Sequence, residues 1–81
     1  MKPKQGEPVL IILKDGSMHE GHWLKNANYR EKNVNRWRIY KTGKTVPDED
    51  VKAWIYVNEA QALLKVGREF HLHRNKEEDH G

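Results

Sequence analysis

Two histidine pairs, an acidic triplet and a basic stretch carrying tyrosines are the parts of this 81-residue sequence whose types and spacing could do chemistry. His19 with His22, and His71 with His73, would suit zinc or nickel if their strands were neighbours. On a regular strand, however, His19 and His22 point to opposite faces, and only a bulge at Gly21 could bring them together. They read as ordinary exposed histidines, so no metal site and no cofactor are expected. Asp48-Glu49-Asp50 could hold a hard divalent ion, yet after Pro47 it reads as a corner that caps the following strand. Nucleophilic catalysis has little to work with. The one serine, Ser17, sits beside a turn, cysteine is absent, and no Gly-x-Ser-x-Gly or phosphate-cradling motif occurs. A chain this short rarely encloses a site. The expectation is that it is not an enzyme.

Binding is better provided for. From Lys25 to Lys44 seven basic residues stand against one acid, Glu31, a local balance of +6 within a chain of net charge +3. The next stretch, Asp48 to Asp50, is acidic, so charge is segregated in a way that can steer a polyanion or an acidic partner onto one face. Within the basic stretch Arg36, Arg38, Tyr40 and Lys41, joined by Tyr29 and Arg30, form the best candidate surface. Guanidinium forks match phosphates and carboxylates, and tyrosine offers both a ring and a polar tip. Trp54 and Tyr56, expected half-exposed on a neighbouring strand, complete the candidate set. A bland alternative is an exposed sheet edge guarded by charge.

These residues need elements to position them. Val9–Leu13 is continuously apolar and β-branched, as in a strand covered on both faces. Asp15-Gly16 predicts a two-residue type I′ turn with both residues at its centre, after which Ser17–Leu24 pairs back. Gly21 predicts a bulge or bend in that second strand. Lys25–Asn35, with four asparagines and no apolar periodicity, predicts a long exposed connection. Arg36–Lys41 alternates, Trp37 and Ile39 inward, Arg36, Arg38 and Tyr40 outward. Thr42-Gly43-Lys44 turns the chain. In Val51–Val57 the core set is Val51, Ala53, Ile55 and Val57, with Lys52, Trp54 and Tyr56 opposite. Asn58 and Gln61 resemble a capping box opening a helix over Glu59–Val66, which Gly67 ends. Phe70 to His73 predicts a short last strand.

From Glu7 to Val57 the order strand, Lys14-Asp15-Gly16 turn, Gly21-His22-Trp23, Arg36-Trp37 and Val51-Lys52-Ala53-Trp54-Ile55 resembles a family of small bacterial and phage proteins catalogued as domain of unknown function 551. That family continues into a proline-rich end, where this chain has Ile55-Tyr56-Val57-Asn58-Glu59-Ala60 instead. The resemblance implies a phage or prophage accessory protein and carries no chemistry with it. The first hairpin (Val9, Leu13, Asp15, Gly16, Gly21, Leu24) also looks like the opening of an Sm-like RNA-binding barrel. The Asp-x-x-x-Asn stretch of that family is not evident in Asn26–Asn35. A generic SH3-like topology accounts for the shared hairpin without common function.

Size bounds the rest. The expected fold is mostly β: a small SH3-like antiparallel barrel or strongly bent sheet of about five strands with one short C-terminal helix. Residues 1–8 are expected as a flexible leader, 9–73 as the single domain and 74–81 as a disordered charged tail. With no cysteine, no apolar run of spanning length and no hydrophobic leader, a cytoplasmic location in a bacterial or phage-infected cell is expected, away from membranes. The functional expectation is a non-enzymatic accessory protein that binds a host macromolecule, in the first place a protein, as an inhibitor or modulator. A small RNA- or DNA-binding barrel is the alternative, and a monomer or small homo-oligomer the assembly.

Overall fold

The computed structural model describes residues 1–75. Within them lies one antiparallel sheet in the order β4-β3-β2-β1-β5-β6. Its strands are β1 (Val9–Leu13), β2 (Met18–Tyr29), β3 (Lys32–Ile39), β4 (Thr45–Pro47), β5 (Val51–Tyr56) and β6 (His73–Arg74). A 3-10 turn, Asp48–Asp50, joins β4 to β5, and a helix, α1 (Val57–Lys65), follows β5. The mostly β, strongly bent sheet with one helix toward the C-terminus is therefore present, with six strands rather than five. It does not close. Instead it curls until Asn75, just past one edge strand, donates from Nδ2 to the Asp48 carbonyl, just past the other, at 3.0 Å.

The turns depart from the sequence reading in instructive ways. Gly16 has φ +89° but Asp15 is not left-handed, and the Gly16 amide bonds the Leu13 carbonyl at 2.9 Å. Lys14 and Asp15 thus occupy the centre of the turn, and Gly16 takes the left-handed position after it, the three-residue solution rather than type I′. The Asp15 carboxylate accepts from the Ser17 amide at 2.8 Å and its hydroxyl at 2.6 Å, which holds Asp15 below the usual carboxylate range. Gly21 makes no bulge: it pairs in unbroken register with Val9 on one side and Ile39 on the other. Its role is close approach, because a Cβ there would lie 1.8 Å from the Arg38 carbonyl oxygen.

The stretch Lys25–Asn35 is not a loop. β2 runs on to Tyr29, β3 starts at Lys32, and Tyr29 pairs with Lys32 across a two-residue turn. Arg30 (φ 54°) and Glu31 (φ 66°) are both left-handed, so the type I′ geometry expected at Asp15-Gly16 occurs here, on two residues without glycine's freedom. The asparagines carried a signal of it. Asn26, Asn28, Asn33 and Asn35 are spaced symmetrically about Arg30-Glu31; Asn28 faces Asn33, and the Asn26 amide bonds Asn35 Oδ1 at 3.2 Å.

One face of the sheet carries the main core: Val9, Ile11, Trp23, Trp37, Ile39, Val51 and Trp54, with Leu13, Val46 and Tyr56 packed against it. Trp54 is therefore not half-exposed; it is 1% exposed. The reason is a register shift between Ile12 and Leu13, where β5 carries one extra residue, Lys52. A one-residue slip reverses facing, so Val51 and Trp54 reach the same core while Ala53 and Ile55 are buried toward the other side. Residues 1–8, expected as a flexible leader, lie against this core. Pro3 is buried, the Trp54 indole donates to the Met1 carbonyl at 3.0 Å, and the Lys4 amide donates to the Tyr56 hydroxyl at 2.9 Å.

α1 packs on β5 through its buried Ala60 and starts directly from the strand, with Tyr56 rather than Asn58 at its N-cap. Gly67 (φ +71°) ends it as expected. The Arg68 amide bonds the Leu63 carbonyl and the Gly67 amide bonds that of Leu64, the paired closure of a Schellman motif. Of the tail expected from 74, Arg74 pairs with Ala53, and Asn75 is 3% exposed. The rest of that expectation, 76–81, lies outside the described residues.

Candidate binding face

Beyond its pairing with β1, the β2–β3 hairpin continues as a two-stranded arm. Its side-chain facing is set by a bulge. Leu24 pairs with Arg36 but Ala27 with Val34, so β2 spends one more residue than β3, and Asn26 (φ 55°) absorbs it. Without that residue Tyr29 would point away from Arg36. With it, Leu24, Ala27 and Tyr29 share a face with Lys32, Val34 and Arg36, and nearer the body with His22, Arg38 and Tyr40.

The contacts on this face are specific. The Arg36 guanidinium lies over the Tyr29 ring, 3.7 Å from its centroid, and Arg30 approaches the same ring at 5.2 Å. Arg36 Nε donates to Thr45 Oγ1 at 2.8 Å, and Nη2 donates to the Thr45 carbonyl at 3.0 Å. Two of its five N–H donors are used in this way. Arg38 Nη1 donates to the Gly43 carbonyl at 2.6 Å, which ties the strand to the turn expected at Thr42-Gly43-Lys44. His22 Nδ1 and the Tyr40 hydroxyl share a hydrogen bond of 2.9 Å, their rings edge to face. Burial first, and the Arg38 charge second, lower the His22 pKa below its ordinary 6.5. At neutral pH His22 is an uncharged partner for Tyr40.

The outer half of this face is a groove of about 450 Å³ lined by Tyr29, Arg30, Lys32, Val34, Asn35, Arg36, Pro47 and Glu49. The structure thus brings together Tyr29, Arg30 and Arg36 at the arm, and Arg38 and Tyr40 beside them. Arg36 is a correction, since Tyr29 and Thr45 cover it to 8% exposure. It buttresses the face more than it projects from it. Lys41 is exposed in the turn after Tyr40, next to Met18, His19 and Glu20. Trp54 and Tyr56 stand on the opposite, core face and do not join. Sequence reasoning missed Lys32, Val34 and Thr45, because their place depends on the hairpin and on β4.

The histidines separate as strand geometry dictates: His19 pairs with Ile11 on the core face and His22 with Arg38 on the other. His73 packs on Trp54 at 4.4 Å and lies 3.4 Å from Glu59 of α1. Asp48 has a structural part. Its Oδ1 accepts from Trp37 Nε1 at 2.9 Å and from Lys2 Nζ at 2.8 Å, and Asn75 Nδ2 lies 3.3 Å from the same oxygen. Among the described residues no helix is long and apolar enough to cross a membrane. No protein-family model, curated protein or solved structure gives a significant match to this chain.

Proposed function

We infer that the protein is a non-enzymatic binding module that grips a partner protein with the Tyr29–Tyr40 face of its β2–β3 hairpin. The observation that carries this reading is the stacking of Arg36 on Tyr29, with Arg38 and Tyr40 held alongside by their own hydrogen bonds. Side chains already locked in place lose little conformational freedom on binding, and arginine and tyrosine are the residues that anchor protein interfaces. Among the described residues, the left-handed ones other than glycine, Asn26, Arg30 and Glu31, all fall in this arm, and such strain concentrates at functional sites. Nucleic acid is the second reading, favoured by the local charge of +6 from Lys25 to Lys44. Against it, Arg36 takes up one face of the Tyr29 ring and His22 meets the Tyr40 ring edge to face, which leaves less of each ring for a stacked base. A phage or prophage accessory protein acting on a host protein as inhibitor or modulator is the setting we propose, on the resemblance of residues 7–57.

Affinity capture from a bacterial lysate, with and without nuclease, tests the choice. A captured protein that survives nuclease and is lost with Arg38→Ala/Tyr40→Ala supports the first reading. Capture that vanishes with nuclease, with log affinity falling steeply and linearly against log salt, supports the second. Unchanged capture by the double variant removes the face assignment.

A further inference from the structure

β4 covers only part of β3. It pairs with Arg36, Trp37 and Arg38, and then Pro47 leads into the 3-10 turn. Among the described residues, no strand lies alongside Lys32–Asn35 on the side away from β2. The direction of the backbone groups there follows from two bonds. The Tyr40 amide bonds the Glu20 carbonyl on β2, whereas the Ile39 amide bonds the Lys44 carbonyl on the β4 side. Even-numbered residues of β3 therefore face β2, and odd-numbered ones face outward. Asn33 and Asn35 thus present their amides and carbonyls to the open edge, while Lys32 and Val34 present side chains to the groove.

We propose that this edge accepts an extended acidic segment of a partner protein as an added antiparallel strand, in line with β4 and over the Tyr29–Arg36 groove. The inference rests on the protein-binding reading above and names the partner's chemistry. Added strands are held by main-chain bonds and selected by alternate side chains. Here an apolar side chain opposite Val34 would lie beside Tyr29, and a carboxylate opposite Lys32 would lie within reach of Arg30. Acid is what the arm calls for: from Lys25 to Arg36 it holds Lys25, Arg30, Lys32 and Arg36 against Glu31. Glu49, at the β4 end of the groove, sets the register by disfavouring a carboxylate there. The same charges discourage a second copy of this strand, since Lys32 and Arg30 would meet their own kind.

The probe is a short capped peptide with glutamate and valine two residues apart, threonine standing between and around them, so that both face the groove. It is titrated into the full chain and followed by amide hydrogen exchange and NMR. Strand addition slows exchange at Asn33 and Asn35 by ~10-fold or more, while Lys32 and Val34, already bonded to β2, change little. Asn33→Pro removes an outward donor that β2 does not use, and proline is tolerated at such edge positions. It should weaken the peptide by about tenfold or more, as should Lys32→Glu, with the fold retained by chemical shift. Binding without protection at Asn33 and Asn35, or undiminished by Asn33→Pro, overturns strand addition but leaves the face itself as the binding surface. Equal affinity for a lysine–valine peptide, or no peptide binding, overturns the acidic-strand assignment. So does protection of these amides in the free protein that Asn33→Pro abolishes along with a dimer, and so does binding of an oligothymidine in place of the peptide.

Discussion

Three tryptophans share the core face, and their indole N–H groups are not equivalent. Trp37 donates to Asp48 and Trp54 to the Met1 carbonyl, whereas the buried Nε1 of Trp23 has no hydrogen-bond partner. A buried donor left without an acceptor costs its desolvation. Trp23→Phe should therefore be the cheaper substitution and Trp37→Phe the dearer by roughly 1–2 kcal/mol, measured as the difference in urea unfolding free energy. Equal losses would mean the Trp37–Asp48 bond contributes nothing net. Gly21 is the other residue where one atom decides. A Cβ 1.8 Å from the Arg38 carbonyl meets backbone, which cannot swing aside, so Gly21→Ala should cost about 3 kcal/mol or more. Folding at wild-type stability would show that β2 and β3 can separate there.

The arm is a marginal element by construction. A two-stranded ribbon is weak on its own, and its turn places Arg30 and Glu31 where glycine or asparagine would sit more easily. Each left-handed non-glycine residue costs about 1–2 kcal/mol, part of which glycine returns as lost chain entropy. Glu31→Gly should raise stability by roughly 0.5–1 kcal/mol in thermal unfolding. A fall would mean that the Glu31 side chain supports the turn. The bulge is testable in the same element. Deleting Asn26 should restore simple alternation, turn Tyr29 to the far face and break its stack on Arg36. NMR would then show the Arg36 resonances losing their ring-current shift while the body of the sheet keeps its pattern.

At the scale of the whole molecule, the two ends of the sheet are tied by one polar knot. Lys2 meets Asp48 at 2.8 Å and also Asn75, Trp37 donates to Asp48, and Asn75 donates to the Asp48 and Val51 carbonyls. Burial alone would raise the Asp48 pKa; the bonds from Lys2, Trp37 and Asn75, with the Lys2 charge, outweigh it and hold the carboxyl below 3.8. A depressed folded-state pKa stabilises above the unfolded value, and that contribution is lost as pH falls through the folded one. His22, also depressed, adds an earlier loss of the same sign, beginning as pH drops below about 6.5, where the unfolded chain binds the proton first. Melting temperature should thus fall with acid in two stages. His22→Gln should flatten the upper stage and Asp48→Asn the lower, and an unaltered profile in either variant would contradict the corresponding assignment. Removing residues 1–5 should expose Trp54, strip Asp48 of Lys2 and destabilise the protein by about 2–4 kcal/mol.

What the residues alone determined is whatever depends on neighbours in the chain. Alternation in Arg36–Tyr40 put Trp37 and Ile39 in the core, the apolar run Val9–Leu13 made a central strand, and Gly67 closed the helix, since period-two facing and left-handed φ are local properties. What only tertiary structure decided depends on counting between distant strands. The extra residue at Asn26 turned Tyr29 onto Arg36, and the extra residue at Lys52 put Trp54 in the core. Composition marks neither, because a bulge is defined by the partner strand it is measured against. The leader's packing on Trp54 and the burial of Asn75 belong with these. Both join residues far apart in the chain, Met1 with Trp54 and Asn75 with Lys2, Asp48 and Val51, which become adjacent only after the sheet has curled.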